Sequence, residues 1–123
     1  MEIGVLRRDG RTDPFFDGTA ADRLVVKHCP SCDLWFPPDA SGCPECGDED
    51  LGWAEASGAA TLVTWTVLPK DPPAYLALVE LAEGPWLHAR LDGVTREDLR
   101  EGLPLRAAFE HPDEGESYIL FRP

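Results

Sequence analysis

The sequence predicts a mostly β chain: a short opening helix, a small ribbon pinned at two cysteine turns, and a five-stranded barrel. Three observations point to this class. The four cysteines form two C-x-x-C pairs ten residues apart, Cys29-Pro30-Ser31-Cys32 and Cys43-Pro44-Glu45-Cys46. After Ser57-Gly58, apolar residues recur at every second position in runs of strand length. Finally, 12 prolines and 11 glycines spread over 123 residues favour many short elements joined by tight turns. Hydrophobic residues make up 43%, enough for a real core.

The elements follow in order. Met1 to Arg11 is polar and patternless, and a loosely held start is expected. Asp13-Pro14 reads as a helix opening, with Asp13 as cap and Pro14 at the first helical position, where its missing donor costs nothing. Phe15, Phe16, Thr19 and Ala20 give this helix an apolar stripe, and Gly18 argues that it is short. Strands are expected at Arg23 to Lys27, Leu34 to Phe36 and Leu51 to Glu55, around the loop Pro37 to Gly42.

The spacing of the cysteines has a chemical reason. Two residues between ligands let one tight turn aim both sulfurs at a point, and two such turns supply four thiolates in a tetrahedron. Gly47 suits the positive φ that closes the second turn, and Asp33 holds the matching place in the first. Cys29, Cys32, Cys43 and Cys46 are therefore expected to hold one structural zinc ion, with no open position for substrate. His28 is expected beside this shell rather than in it.

Beyond Ser57-Gly58, strands are expected at Ala60 to Leu68, Ala74 to Leu81, Trp86 to Leu91, Leu105 to Glu110 and Ser117 to Arg122. In the first, Val63, Trp65 and Val67 alternate with Thr64 and Thr66. Thr95 to Arg100 reads as a short helix with Thr95 and Asp98 at its start. Three strands, a helix and two strands make the OB-fold order. The organisation expected is 1–22 for the opening segment and helix, 23–55 for the ribbon and 56–123 for the barrel.

The formal net charge is −12. Such a field repels phosphate backbones and anionic lipid, and it disfavours nucleic-acid binding. No apolar run approaches the ~20 residues of a membrane helix, and Met1 to Arg8 lacks a signal-peptide core. A cytoplasmic location is expected, where paired cysteines are metal ligands rather than disulfides. No G-x-S-x-G elbow or glycine-rich phosphate loop occurs, and all cysteines are assigned to the metal. No catalytic residue is nominated. Trp86, His88 and Arg90 share one strand face and are the candidates for a ligand groove. Trp65 and Tyr75 are expected in the barrel core or rim.

Taken in order, these pieces resemble a known family of small bacterial and archaeal proteins that join a rubredoxin-like zinc ribbon to an OB-fold. The resemblance runs from Pro14 to the C-terminus. It rests on Pro14-Phe15-Phe16, the two cysteine turns, Ser57 to Val67, Tyr75 to Leu81, Glu83-Gly84, Gly102 to Leu105 and Phe121-Arg122-Pro123. Asp33 stands where the family usually has Gly, and Phe16 where Trp is common. The resemblance implies a non-catalytic subunit or domain beside an enzyme of acyl-CoA metabolism, such as a thiolase, a thiolase-like aldolase or a hotdog-fold hydratase. Phe15, Phe16, Trp35 and Phe36 are the expected partner surface. A stand-alone acyl-CoA binder, with its ligand near Trp86, His88 and Arg90, is the alternative. A nucleic-acid module is the third reading, which the charge opposes.

Overall fold

The computed structural model describes residues 7–8, 10, 12–47, 51–70 and 72–123. Its elements are α1 (Asp13–Ala20), β1 (Val25–Cys29), β2 (Leu34–Phe36), β3 (Gly52–Glu55), β4 (Ala59–Leu68), β5 (Ala74–Leu81), β6 (Trp86–Leu91), a 3-10 turn (Arg96–Asp98), β7 (Pro104–Glu110) and β8 (Tyr118–Arg122). β1 starts later than expected and runs into the first metal-site cysteine. Leu24, just outside the strand, is nonetheless buried. Thr95 to Arg100 forms only a single 3-10 turn, in which the Asp98 carboxylate accepts from the Thr95 N–H at 2.8 Å.

The ribbon is an antiparallel sheet in the order β2-β1-β3. The remaining strands close a barrel in the order β4-β5-β6-β8-β7, with β7 returning to β4 through Ala59↔Arg106 and Ala60↔Leu105. This is the OB-fold topology. The seam between β6 and β8 is parallel and short, pairing only Arg90↔Leu120 and Leu91↔Phe121. Phe121, fully buried, sits on that seam and packs inward with Leu62, Val79, Leu81 and Leu105. Leu24 and Val26 of the ribbon belong to the same buried cluster, so ribbon and barrel share one core.

β4 does not keep one alternation throughout. Leu62 faces Val79 and Thr64 faces Leu78, so Val63 is an extra residue, a bulge. Ala60 and Leu62 are buried before it, whereas the less exposed side passes to Trp65 and Val67 after it. The phase change lets one strand serve two walls of a small barrel.

α1 differs from expectation at its start. Thr12 is the cap residue, and its carbonyl accepts from the Phe15 N–H at 3.0 Å. Asp13 is already helical, and its buried Oδ1 has no hydrogen-bond partner. Gly18 is more than a weak helix former. A Cβ there would lie 2.6 Å from Val25 Cγ2 and 2.8 Å from the Arg23 carbonyl oxygen, so only glycine lets α1 lie this close to β1. Gly18→Ala is expected to lower stability by about 1–3 kcal/mol through overpacking, although alanine is the better helix former. Thermal melts test this; a variant that melts at or above the parent temperature would show that the contact is not tight.

Thr19 is fully buried and donates from Oγ1 to the carbonyls of Phe16 (3.0 Å) and Ser117 (2.8 Å), which ties α1 to the start of β8. The start of the chain is not uniformly loose. Arg8 bonds to Asp17 and Glu116, both at 2.8 Å, and these partners hold its guanidinium firmly charged. The rest of the expected loose start lies mostly outside the described residues.

Candidate metal centre and interaction surface

The two cysteine turns are built alike. In the first, the Asp33 N–H donates to the Cys29 carbonyl at 2.9 Å with Asp33 at φ 56°; in the second, Gly47 donates to Cys43 at 2.8 Å with φ 73°. Each hairpin thereby aims two sulfurs at one point. All four sulfurs lie within 4.8 Å of one another, and those of Cys29 and Cys46 are 3.6 Å apart. A tetrahedron with Zn–S of about 2.3 Å requires sulfurs about 3.8 Å apart. The donor set therefore fits one structural zinc ion.

The four thiols are not equivalent in their surroundings. Backbone N–H groups of Cys46 and Glu45 bring the Cys43 thiol down to about 7, while a hydrogen bond with the Cys46 sulfur pushes Cys32 up to about 12. A zinc ion held by the four would supply the charge that keeps them all deprotonated. His28 stands beside the shell. Its Nε2 meets Asp33 Oδ1 at 2.7 Å and its ring lies 4.9 Å from that of Trp35. Lys27 holds the following loop by donating to the Ala40 carbonyl, and its ammonium lies 5.3 Å from the Trp53 ring centre.

The aromatic candidates separate by environment. Phe15 and Trp35 pack against the buried core. Phe16 meets Phe15 edge to face at 5.3 Å, and Arg8 lies over its outer ring at 5.9 Å. Phe36 is half-buried on β2. Phe15 and Phe16 line a groove of about 470 Å³ with Pro37, Pro38 and Asp39 of the ribbon loop, Trp86, Leu87 and His88 of β6, and Ile119 of β8. Helix, ribbon and barrel thus contribute to one surface.

A second groove, of about 510 Å³, runs over the outer side of β4, β5 and β6. Cross-strand ladders build it: Thr64–Leu78–His88 and Thr66–Leu76–Arg90. His88 lines both grooves, Arg90 only this one and Trp86 only the first. Arg90 is 3.8 Å from Glu110 and 5.8 Å from the Tyr118 ring centre, while the Trp86 indole donates to Glu80 at 3.0 Å. Trp86 and Leu76 are among the few large apolar side chains left exposed. Tyr75 is core, and Trp65 packs against the core while lining the second groove.

One constellation is invisible in the sequence. His111 Nδ1 meets Ser117 Oγ at 2.8 Å, and its Nε2 meets Asp22 Oδ1 at 2.6 Å. The residues are up to 95 positions apart, and no local motif links them. Neither Ser117 nor His111 lines any of the grooves described here. The series braces the turn after α1 against the loop before β8.

Ribbon, cysteine centre and closed barrel together define a zinc-ribbon OB-fold protein. Sequence models of two ChsH2 domains match consecutive stretches: the rubredoxin-like zinc ribbon domain over residues 16–52 and the C-terminal OB-fold domain over residues 53–110. The chain belongs to this ChsH2, or DUF35, family. It is 30% identical over 115 residues to a Thermomonospora curvata protein named "Probable enoyl-CoA hydratase alpha subunit", covering 89% of this chain and 36% of that one. It is 34% identical over 88 residues to a Pyrococcus furiosus "DUF35 domain-containing scaffold protein", covering 66% of this chain and 64% of that one. The chain therefore spans only part of the length of both curated relatives. Among solved structures, a chain of the "Ltp2-ChsH2(DUF35) aldolase" superposes with a TM-score of 0.81 at 29% identity, covering 94% of this chain and 96% of that chain. A DUF35 protein of unknown function from Sulfolobus solfataricus, at 20% identity and a TM-score of 0.59, shows the fold alone. No helix among the described residues is long and apolar enough to cross a membrane.

Proposed function

We propose that this chain is a non-catalytic accessory subunit that docks on a thiolase-fold acyl-CoA enzyme and stabilises or completes it. The observation that carries this reading is the apolar surface to which helix, ribbon and barrel all contribute, on a chain of net charge −12. An apolar surface of this kind with polar residues around it marks a place that a partner can cover. Family membership, the scaffold name of one relative and the aldolase title of the similar structure support the same reading. The closed thiolate shell gives zinc a folding role, since it leaves no position at which to activate water.

The test is purification of the tagged chain from its native host. An acyl-CoA enzyme subunit is expected to co-purify in fixed ratio, and the enzyme alone is expected to lose activity or melt lower. Phe16→Ala should weaken that complex tenfold or more, about 2 kcal/mol for a buried aromatic anchor, with the isolated chain melting unchanged. Phe15→Ala should lower both, because Phe15 also packs on the core. Normal binding by both variants would remove the helix from the interface; a ribosomal or polymerase partner would sink the reading.

The second groove favours one alternative, a stand-alone acyl-CoA binder. Its lining of Leu76, Leu78, Thr64 and Thr66 suits an apolar group. Phosphates need several cations, and Arg90, the one in this lining, already faces Glu110. That reading takes second place.

A further inference from the structure

We propose that the half-open edge of β6 is a strand-addition site for an extended segment of the partner protein, apolar at alternate positions and flanked by Lys or Arg. The proposal rests on the accessory-subunit reading only for the source of the segment. The register between β5 and β6 decides which groups are free. The Leu81 N–H bonds the Pro85 carbonyl, so in this antiparallel pair Leu87 and Ala89 turn their backbone groups to β5, while Trp86, His88 and Arg90 turn theirs the other way. Arg90 meets β8 there. Among the described residues, β8 pairs with β6 at no position before Arg90, and Trp86 and His88 have no backbone partner on that side.

Continued in register, His88 would reach the carbonyl of Ser117, which accepts from Thr19 Oγ1 on the helix. β8 is held by the helix instead, and a cleft opens between β6 and Ile119. This cleft is the 470 Å³ groove. Trp86, Leu87 and His88 line it consecutively along β6, and Phe16 and Pro37 line it with them. Two N–H and two C=O groups in a row, set beside apolar walls, match an added strand.

Charge decides the flanks. Asp39 is in the wall, Glu80 is bonded to the Trp86 indole, and Asp13, next to the wall residue Thr12, has a buried oxygen without a partner. Among the described residues, Arg8 is matched by Asp17 and Glu116, and Lys27 is held by the Ala40 carbonyl. The mouth of the cleft is acidic and takes basic flanks.

The experiment titrates isotopically labelled isolated chain with the peptide Lys-Val-Thr-Val-Thr-Val-Lys and follows amide exchange by NMR. Saturable binding should slow exchange at Trp86 and His88 at least tenfold and leave Leu87 and Ala89, already bonded to β5, unchanged. A twin peptide with Glu for both Lys should bind at least tenfold more weakly, and one N-methylated at alternate residues should not bind. His88→Pro removes a donor that points away from β5, so it should keep the melting temperature and lose the peptide. If that variant misfolds, the N-methylated peptide still decides. No binding, protection elsewhere, or equal binding of the N-methylated peptide overturns strand addition. Those results leave the accessory-subunit reading standing, whereas failed co-purification sinks that reading and not this one.

Discussion

Cys43→Ser is expected to release the zinc and unfold the ribbon. Metal analysis should fall from about one zinc per chain to a small fraction. Structural zinc contributes apparent free energies of about 10–16 kcal/mol in small zinc-binding peptides, so a ribbon with three short strands has little to replace it. Cys43 is the sharpest choice because it is buried and its sulfur receives the backbone N–H groups of its turn. The damage should spread. β1 carries Cys29 at one end and places Val26 in the shared core, and α1 rests on Val25 through Gly18. Melts followed in the tryptophan region should therefore show an early step from Trp35 and Trp53, ahead of the barrel. A metal-free variant that melts as the parent does would show that zinc is not structural.

Phe121→Ala is expected to cost about 3–5 kcal/mol, the usual range for a buried phenylalanine, and to lower the melting temperature by about 10 °C or more. Phe121 faces Ala107 on β7 and Leu91 on β6, so it fills the core at the point where the barrel closes. The loss of volume coincides with a seam of only two paired positions. Denaturant melts of Phe121→Leu and Phe121→Ala would measure this, with leucine expected to keep most of the stability. Equal effects of the two would show that the volume at the seam does not matter.

The two cysteine turns were legible because four sulfurs at fixed spacing have one good geometry, and the Asp33 and Gly47 positions follow from it. Most strands were legible from period-two alternation. The β4 bulge was not, because Leu62 and Val63 are both apolar and a slip of one residue leaves no mark in the sequence. Gly18 reads locally as a weak helix former; its reason lies on β1, in contact only after folding. Asp13-Pro14 has the form of a cap, but Thr12 takes that place. Phe15, Phe16, Trp86 and His88 were each visible as candidates. That they meet in one groove depends on how helix and barrel pack, and no local pattern records it.

The bond from Thr19 to Ser117 also bears on the order in which the chain is made. The acceptor is synthesised 98 residues after the donor. At about 5–20 residues per second, that is a wait of roughly 5–20 s. The ribbon can take its metal during that interval, since all its ligands precede residue 47. The opening helix can already rest on β1 through Gly18, but its tie to Ser117 waits for the end of the chain. Phe15 and Phe16 can meet Pro37 and Pro38 early, whereas Trp86, His88 and Ile119 complete their groove only later. The bond from Thr19 to Ser117 is accordingly expected to form late in folding, after the barrel strand that supplies its acceptor.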